Sequence, residues 1–312
     1  MKPDSLSAYH QTVAGCGLIS LPDQARLWAT GRDRIDLIHR MSTNDLREMA
    51  ANEGRATVLT TANARMIDRI IVINLADRAL ILGSAGTADM IGRWLTGYIF
   101  YNDDVAFTNA SQTLDQFLLF GPQAIKLAET IWPGAADLKR YGVLEQDGLV
   151  IGRGEDLVGG SVFVIGSPDV IQVGRRAAVA AGAVVVDREV YEVARVESGL
   201  PEYGHELGES YIPLEAGLWN DISFSKGCYI GQEIIARMES RGKLAKTLVG
   251  VRAERPLTAG ATFPGGTVTS VAQSPRFGWI GLAFVKPTEA EPGQLLEIED
   301  VAARVAALPF QD

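Results

Sequence analysis

Eight consecutive residues, Lys226-Gly227-Cys228-Tyr229-Ile230-Gly231-Gln232-Glu233, bring an amine, a thiol, an amide and a carboxylate into one short run. A thiol reacts as its thiolate, and a nearby cation or a helix N-terminus favours that form. Lys226 stands two residues before Cys228, and the spacing of Ile234, Ile235 and Met238 predicts a helix starting near Gly231. Both features point to Cys228 as a reactive thiol tuned by Lys226, whereas the ordinary use of a free cysteine is burial in a core. Gln232 and Glu233 fall in the first turn of that helix, where a carboxylate is electrostatically favoured. Cys16, between Gly15 and Gly17, has no charged neighbour and reads as structural. No histidine lies close enough in sequence to suggest a Cys–His hydrolase pair.

Two further carboxylates sit in apolar surroundings. Residues 66–75 read as a strand apolar on both faces, with Asp68 beside Met66, Ile70 and Val72, and Arg69 beside Ile67, Ile71 and Ile73. Burying an unpaired carboxylate costs several kcal/mol. Asp68 therefore either pairs with Arg65 or Arg69 at the strand's start or faces a ligand, and the sequence leaves both open. Residues 188–199 read as a helix with Val190, Val193, Ala194 and Glu197 on one stripe and Arg195 beside it. Glu197 is either a solvated helix end or a carboxylate held inside for a purpose.

The elements that position these groups follow from periodicity and breakers. Strands are expected at 24–29, 56–60, 66–75, 79–82, 116–120, 148–153, 161–165 and 183–186. Helices are expected after Asp33, from a Thr87 cap to about Thr96, over 122–131, over 169–181 and over 188–199. Residues 98–107, with Tyr98, Phe100, Tyr101 and Phe107, are expected as a half-exposed strand or as a loop stacking on something flat, core packing being the commoner use of such aromatics. Strands and helices without a regular βαβ rhythm indicate an α+β fold. Beyond Arg241 the sequence turns to short strands between Pro/Gly turns, which predicts a small all-β barrel or sandwich. The expected division is a body over 1–241 and a barrel over 242–312.

Composition bounds the function. A chain of 312 residues with 47% hydrophobic and 21% charged residues suits a globular protein. A net charge of −9 disfavours non-specific binding to nucleic acid. Two cysteines make no disulfide framework, and the spacing of Cys and His suggests no metal site. The three histidines are expected at the surface or as caps. The N-terminus lacks a signal-peptide core, and no apolar run approaches the ~20 residues of a membrane span. A cytoplasmic protein is expected. No Gly-x-Gly-x-x-Gly or Walker loop supports a dinucleotide or triphosphate site.

The run from Lys226 to Glu233 resembles the Lys-Gly-Cys-(Tyr/Phe)-x-Gly-Gln-Glu motif of the YgfZ-type folate-binding proteins, relatives of the glycine cleavage T-protein (aminomethyltransferase). The resemblance extends to Met41–Leu46, to Asn63 through Asp68, to Arg195–Gly199 and to Ile212–Ala216. In the C-terminal region it extends to Thr269-Ser270 with Ser274-Pro275, and to Ile280–Ala283. It implies a three-lobed α+β folate-binding body, a C-terminal β-barrel and tetrahydrofolate, or a one-carbon derivative, as cofactor. Asp68 is implied near the reactive edge of the folate and Glu197 on the pterin, with Arg195, Tyr229 and Gln232 as further binding residues. Cys228, Lys226 and Asp68 are the implied catalytic residues. Arg69 stands where the T-protein has a second Asp, and the T-protein lacks the Lys-Gly-Cys run. The implied role is support of the assembly or repair of iron–sulfur enzymes, including tRNA-modifying ones, with those clients or assembly factors as partners. The alternative activity is folate-dependent aminomethyl transfer or demethylation; a third possibility is a non-catalytic binding module.

Overall fold

The computed structural model describes residues 1–311, so Asp312, the last residue of the expected barrel, lies outside the described residues. Three sheets organise the chain. The first has five strands in the order Glu53–Thr60, Met66–Asn74, Ala79–Ala85, Gln24–Thr30, Ala106–Asn109. The second has six: Val184–Val185, Gly17–Ser20, Asp115–Phe120, Ser161–Gly166, Leu149–Arg153, Val143–Gln146. The third, also of six strands, is antiparallel: Thr262–Phe263, Gly266–Ser274, Gly278–Val285, Thr247–Ala253, Val301–Ala306, Leu295–Ile298. Its two edge strands meet, so it forms a nearly closed barrel, filled by Val249, Val251, Val268, Ala283, Val285 and Val305.

The first two sheets each use both faces. In Met66–Asn74 the even positions Ile70 and Val72 pack against the helices Arg34–Met41 and Ala88–Thr96. The odd positions Ile71 and Ile73 meet Val150, Phe163 and Ile165 of the second sheet. That second sheet covers its far face with the helices Ala124–Ile131 and Pro168–Ala180, through Phe117, Leu119, Trp132 and Ile171. The order is helices, sheet, sheet, helices, and it explains why both central strands read as continuously apolar. The helix Arg188–Glu197 and the N-terminal helix Pro3–Ala14 join this body to the barrel through Val190, Val193, Ala272, Ile280 and Phe310.

Of the two readings of 98–107, Phe100 and Tyr101 take the loop, outside the core, and Tyr101 is fully exposed. Other local expectations change. Thr87 stands at its helix start, but its hydroxyl donates to Asp68 Oδ2 (2.7 Å), lies 2.8 Å from the Ser84 carbonyl and does not cap the helix. His39 is buried, not at the surface, and its Nδ1 accepts the Leu46 N–H at 3.2 Å. Burial and the Lys226 charge push its pKa down to about 4, so the ring is neutral near pH 7.

Candidate functional site

A cavity of about 860 Å³ opens where the first two sheets separate, closed by the helix Arg188–Glu197 and the segment 199–221. Its wall alternates chemistry with strand period. Ile71, Leu82, Leu118 and Phe163 supply apolar surface, and Tyr191 and Tyr203 add aromatic edges. Five arginines line it, Arg69, Arg140, Arg175, Arg188 and Arg195, against four carboxylates, Asp23, Glu155, Glu202 and Asp221.

Arg69 is the knot of this wall. It faces the cavity because it shares a strand face with Ile71. Its Nε bonds Asp221 Oδ2 at 2.6 Å and its Nη2 lies 2.7 Å from Glu155 Oε1 and 2.8 Å from the Tyr141 hydroxyl. Burial of the guanidinium lowers its pKa, but Asp221 and the Tyr141 oxygen more than offset that and hold it above the ordinary range. Arg140 also pairs with Glu155. Arg188 pairs with Glu192 at 2.6 Å and with Glu202. Arg175 has no carboxylate within ion-pair distance among the described residues, which leaves the wall with one uncompensated cation.

Arg195 lines the cavity, but its donors are committed. It bonds Glu192 Oε2 (3.0 Å), the Leu200 carbonyl (2.7 Å), Glu206 Oε2 (3.3 Å) and Ser270 Oγ (2.8 Å). It thereby ties its helix to a barrel strand.

Asp68 lies on the opposite strand face from Arg69 and is not part of the cavity wall. It is fully buried and accepts four hydrogen bonds: from its neighbour's N–H (Arg69, 2.8 Å), from Ser84 N–H (3.0 Å) and Oγ (2.6 Å), and from Thr87 Oγ1. Neither the Arg65 nor the Arg69 guanidinium pairs with it. Gly83 makes room for it, since a Cβ there would stand 3.1 Å from Asp68 Oδ2. Desolvation outweighs the four bonds and raises its pKa. Asp68 is bonded to one cavity-lining residue, Ser84.

Glu197 is buried, not a solvated helix end. Tyr9 Oη donates to its Oε1 at 2.6 Å and Ser274 Oγ at 2.5 Å, so this carboxylate joins the N-terminal helix to the barrel. Burial first, then Glu197, push the Tyr9 pKa up.

The run 226–233 docks on the corner formed by residues 39–46. Lys226 is buried, and its ammonium donates to the carbonyls of His39, Ser42 (2.6 Å) and Asn44 (2.9 Å). It also sits 5.2 Å from the Tyr229 ring centroid. Desolvation lowers its pKa to about 8. Thr43 and Asn44 of the same corner hold the cavity-lining turn Trp219–Asp221, by Thr43 Oγ1 to the Asp221 carbonyl (2.6 Å) and Asn44 Nδ2 to the Asn220 carbonyl (3.1 Å). Gly231 takes φ +84° just before the helix Gln232–Arg241 and presses on the loop 61–64, where a Cβ would meet the Thr61 carbonyl at 2.8 Å. Tyr229 is buried, Gln232 is half-buried, and Cys228 is exposed. None of Lys226, Cys228, Tyr229 or Gln232 lines the cavity.

Of the residues singled out from sequence as candidate site groups, the cavity wall contains Arg195; Arg69, read from sequence as a possible partner of Asp68 and as a departure from the T-protein, is its centre. Sequence reasoning missed Gln116, Arg140, Arg175 and Arg188 as wall residues. For Gln116 a signal existed: period two on 116–120 puts its amide on the same face as Leu118.

Residues 3–146 match the family model of the GCVT N-terminal domain, and residues 246–312 that of the glycine cleavage T-protein C-terminal barrel domain; together the matches span more than half of the chain. The chain is 28% identical over 308 residues to the Arabidopsis thaliana protein named "Putative transferase At1g60990, chloroplastic", covering 95% of this chain and 71% of that protein. It is 26% identical over 330 residues to an aminomethyltransferase of Listeria welshimeri, covering 98% of this chain and 89% of that one. An aminomethyltransferase of Moorella thermoacetica is 27% identical over 341 residues, with the same coverage of 98% and 89%. In fold it resembles the glycine cleavage system aminomethyltransferase T of Bartonella henselae, with a TM-score of 0.87 at 19% identity over 98% of this chain and 89% of that one. Three sheets, a terminal barrel and both matched segments agree: this chain belongs to the glycine cleavage T-protein family.

Proposed function

We propose that this protein binds tetrahydrofolate, or a one-carbon derivative of it, in the central cavity and supports the assembly or repair of iron–sulfur enzymes, tRNA-modifying ones among them, in the cytoplasm. The observation that carries the folate reading is the wall of that cavity. A volume of about 860 Å³ falls within the ~300–1,000 Å³ usual for small-molecule sites. Apolar surface from Ile71, Leu82, Leu118 and Phe163 suits a flat heterocycle, and the uncompensated Arg175 suits an anionic tail. A folate offers both, so the residues fit the group. When bound, it supplies a carrier for a one-carbon unit. Arg69, held by Asp221 and Glu155, fixes the floor of the cavity; Asp68 fixes Ser84; Arg195 and Glu197 hold the helix that closes it.

The iron–sulfur part rests on the YgfZ-like run. Lys226 is spent on anchoring, and the exposed residue it anchors is Cys228. A firmly held, accessible thiol suits reaction with a partner protein better than packing does. Rescue of iron–sulfur enzyme activity in a deletion strain tests this. Wild-type protein is expected to restore it, and Cys228→Ala to bind folate yet fail to restore it; full rescue by Cys228→Ala removes the role given to the thiol.

A second reading is folate-dependent aminomethyl transfer, favoured by the aminomethyltransferase relatives that align with nearly the whole chain. Against it stands Arg69, a guanidinium where the T-protein has a carboxylate. Incubation with tetrahydrofolate and an aminomethyl-lipoyl carrier or methylated amines decides between them: methylene-tetrahydrofolate as a product establishes the second reading.

A further inference from the structure

The helix Arg188–Glu197 turns one face to the central cavity, with Arg188, Tyr191 and Arg195 at helical spacing along it and all three in the cavity wall. The two guanidinium charges are taken up inside the chain, Arg188 by Glu192 (2.6 Å) and Glu202, Arg195 by Glu192 (2.9 Å) and Glu206 (3.3 Å). Tyr191, between them, keeps its polar group free. Its ring is fixed on two sides: Phe120 meets it edge-on with centroids 6.0 Å apart, and the Arg188 guanidinium stands 5.0 Å from its centroid. Its hydroxyl bonds no described residue, whereas the hydroxyls of Tyr9 and Tyr141 donate to Glu197 and Glu155. Nor is its oxygen one of the unpartnered atoms shut off from solvent.

Burial pushes the Tyr191 pKa up to about 12, so the phenol is protonated and can donate at neutral pH. An oxygen desolvated to that degree yet still open to solvent lies in a recess, and the recess that Tyr191 lines is the central cavity. A phenylalanine would keep both ring contacts, so the hydroxyl adds nothing to the fold, although a buried tyrosine ordinarily gives its hydroxyl a partner. We propose that Tyr191 is a ligand-binding residue of this cavity, its hydroxyl donating to a carbonyl or carboxylate oxygen of the bound molecule. This assignment rests on the folate reading, and a folate carries such oxygens on its pterin ring and on its glutamate tail. Because Phe120 and Arg188 hold the ring before the ligand arrives, little side-chain freedom is lost on binding.

Calorimetric titration of the full chain with tetrahydrofolate, paired with thermal unfolding of the ligand-free protein, tests the assignment. Tyr191→Phe, which removes the hydroxyl alone, is expected to bind roughly ten-fold more weakly than wild type while unfolding at the wild-type temperature. The same two proteins titrated with a tetrahydropterin that keeps the ring oxygen and lacks the tail tell the two sources apart: a loss that persists places the contact on the ring, and a loss that disappears places it on the tail. Equal tetrahydrofolate affinity of wild type and Tyr191→Phe overturns the assignment and leaves the folate reading standing. A Tyr191→Phe protein that both binds weaker and melts lower also overturns it, because it marks a packing role. A wild-type protein that takes up no tetrahydrofolate refutes the folate reading itself, and this assignment with it.

Discussion

Replacing Lys226 by methionine removes an ammonium that donates to three buried carbonyls. The carbonyls of His39, Ser42 and Asn44 then face an apolar methyl group. The His39 carbonyl keeps the Ser42 N–H (3.5 Å), so two acceptors are stranded, at about 2 kcal/mol each or ~4 kcal/mol in all. An opposing contribution comes from the ammonium, whose pKa falls from 10.5 to about 8 on burial. That shift corresponds to roughly 3 kcal/mol that methionine does not incur. The balance is a loss of about 1 kcal/mol near pH 7, set against the ~5–15 kcal/mol that ordinarily holds a folded chain. The pH dependence sharpens the test. Because the folded value is the lower one, the unfolded chain binds more protons between about 8 and 10.5, and stability from this group rises with pH in that window. Lys226→Met lacks that rise, so the gap between the two proteins should widen above pH 8. Urea unfolding followed by tryptophan fluorescence at about pH 7 and about pH 9.5, on either side of the folded value, measures both quantities. Coincident midpoints at the lower pH, or a gap that stays constant at the higher one, would refute the view of Lys226 as the anchor of the 226–233 run.

Three further outcomes follow from the same geometry. His39 has a folded pKa of about 4 against 6.5 unfolded, so its contribution of up to about 3 kcal/mol is present above pH 6.5 and is lost as pH falls towards 4; a His39→Gln variant should show a flatter stability curve across that window. Gly231→Ala forces a left-handed backbone on a residue whose Cβ meets the Thr61 carbonyl, and should lower stability by roughly 2–4 kcal/mol in urea melts. Asp68→Asn puts an amide N–H against the donors of Ser84 and Thr87, and should cost roughly 2–4 kcal/mol of stability while weakening tetrahydrofolate binding through Ser84, read by melting and titration together.

The fold was legible where periodicity was strong. The strands Met66–Asn74 and Leu149–Arg153 and the helices Ala88–Thr96 and Arg188–Glu197 sit within a few residues of their expected places. Weak signals were missed. Val301–Ala306 alternates buried and exposed as a strand should, but half of its residues are alanines, which pack too little surface to announce a sheet. Gly17–Ser20 and Val143–Gln146 have four residues each and take their identity from their partners. The site was less legible, because a cavity is a meeting of elements. Glu155, Asp221 and Arg69 are far apart in sequence and come together only once the sheets pack. Asp68 and Glu197 were rightly read as carboxylates in apolar company. Period two alone placed Asp68 opposite Arg69, but it could not say which of the two faces met the cavity.

Tetrahydrofolate binding by the full chain, measured calorimetrically under anaerobic reducing conditions, tests the central claim most directly. One saturable site per chain with micromolar affinity or better, about −8 kcal/mol or more negative, is the predicted result. No saturable binding up to millimolar ligand would contradict the account.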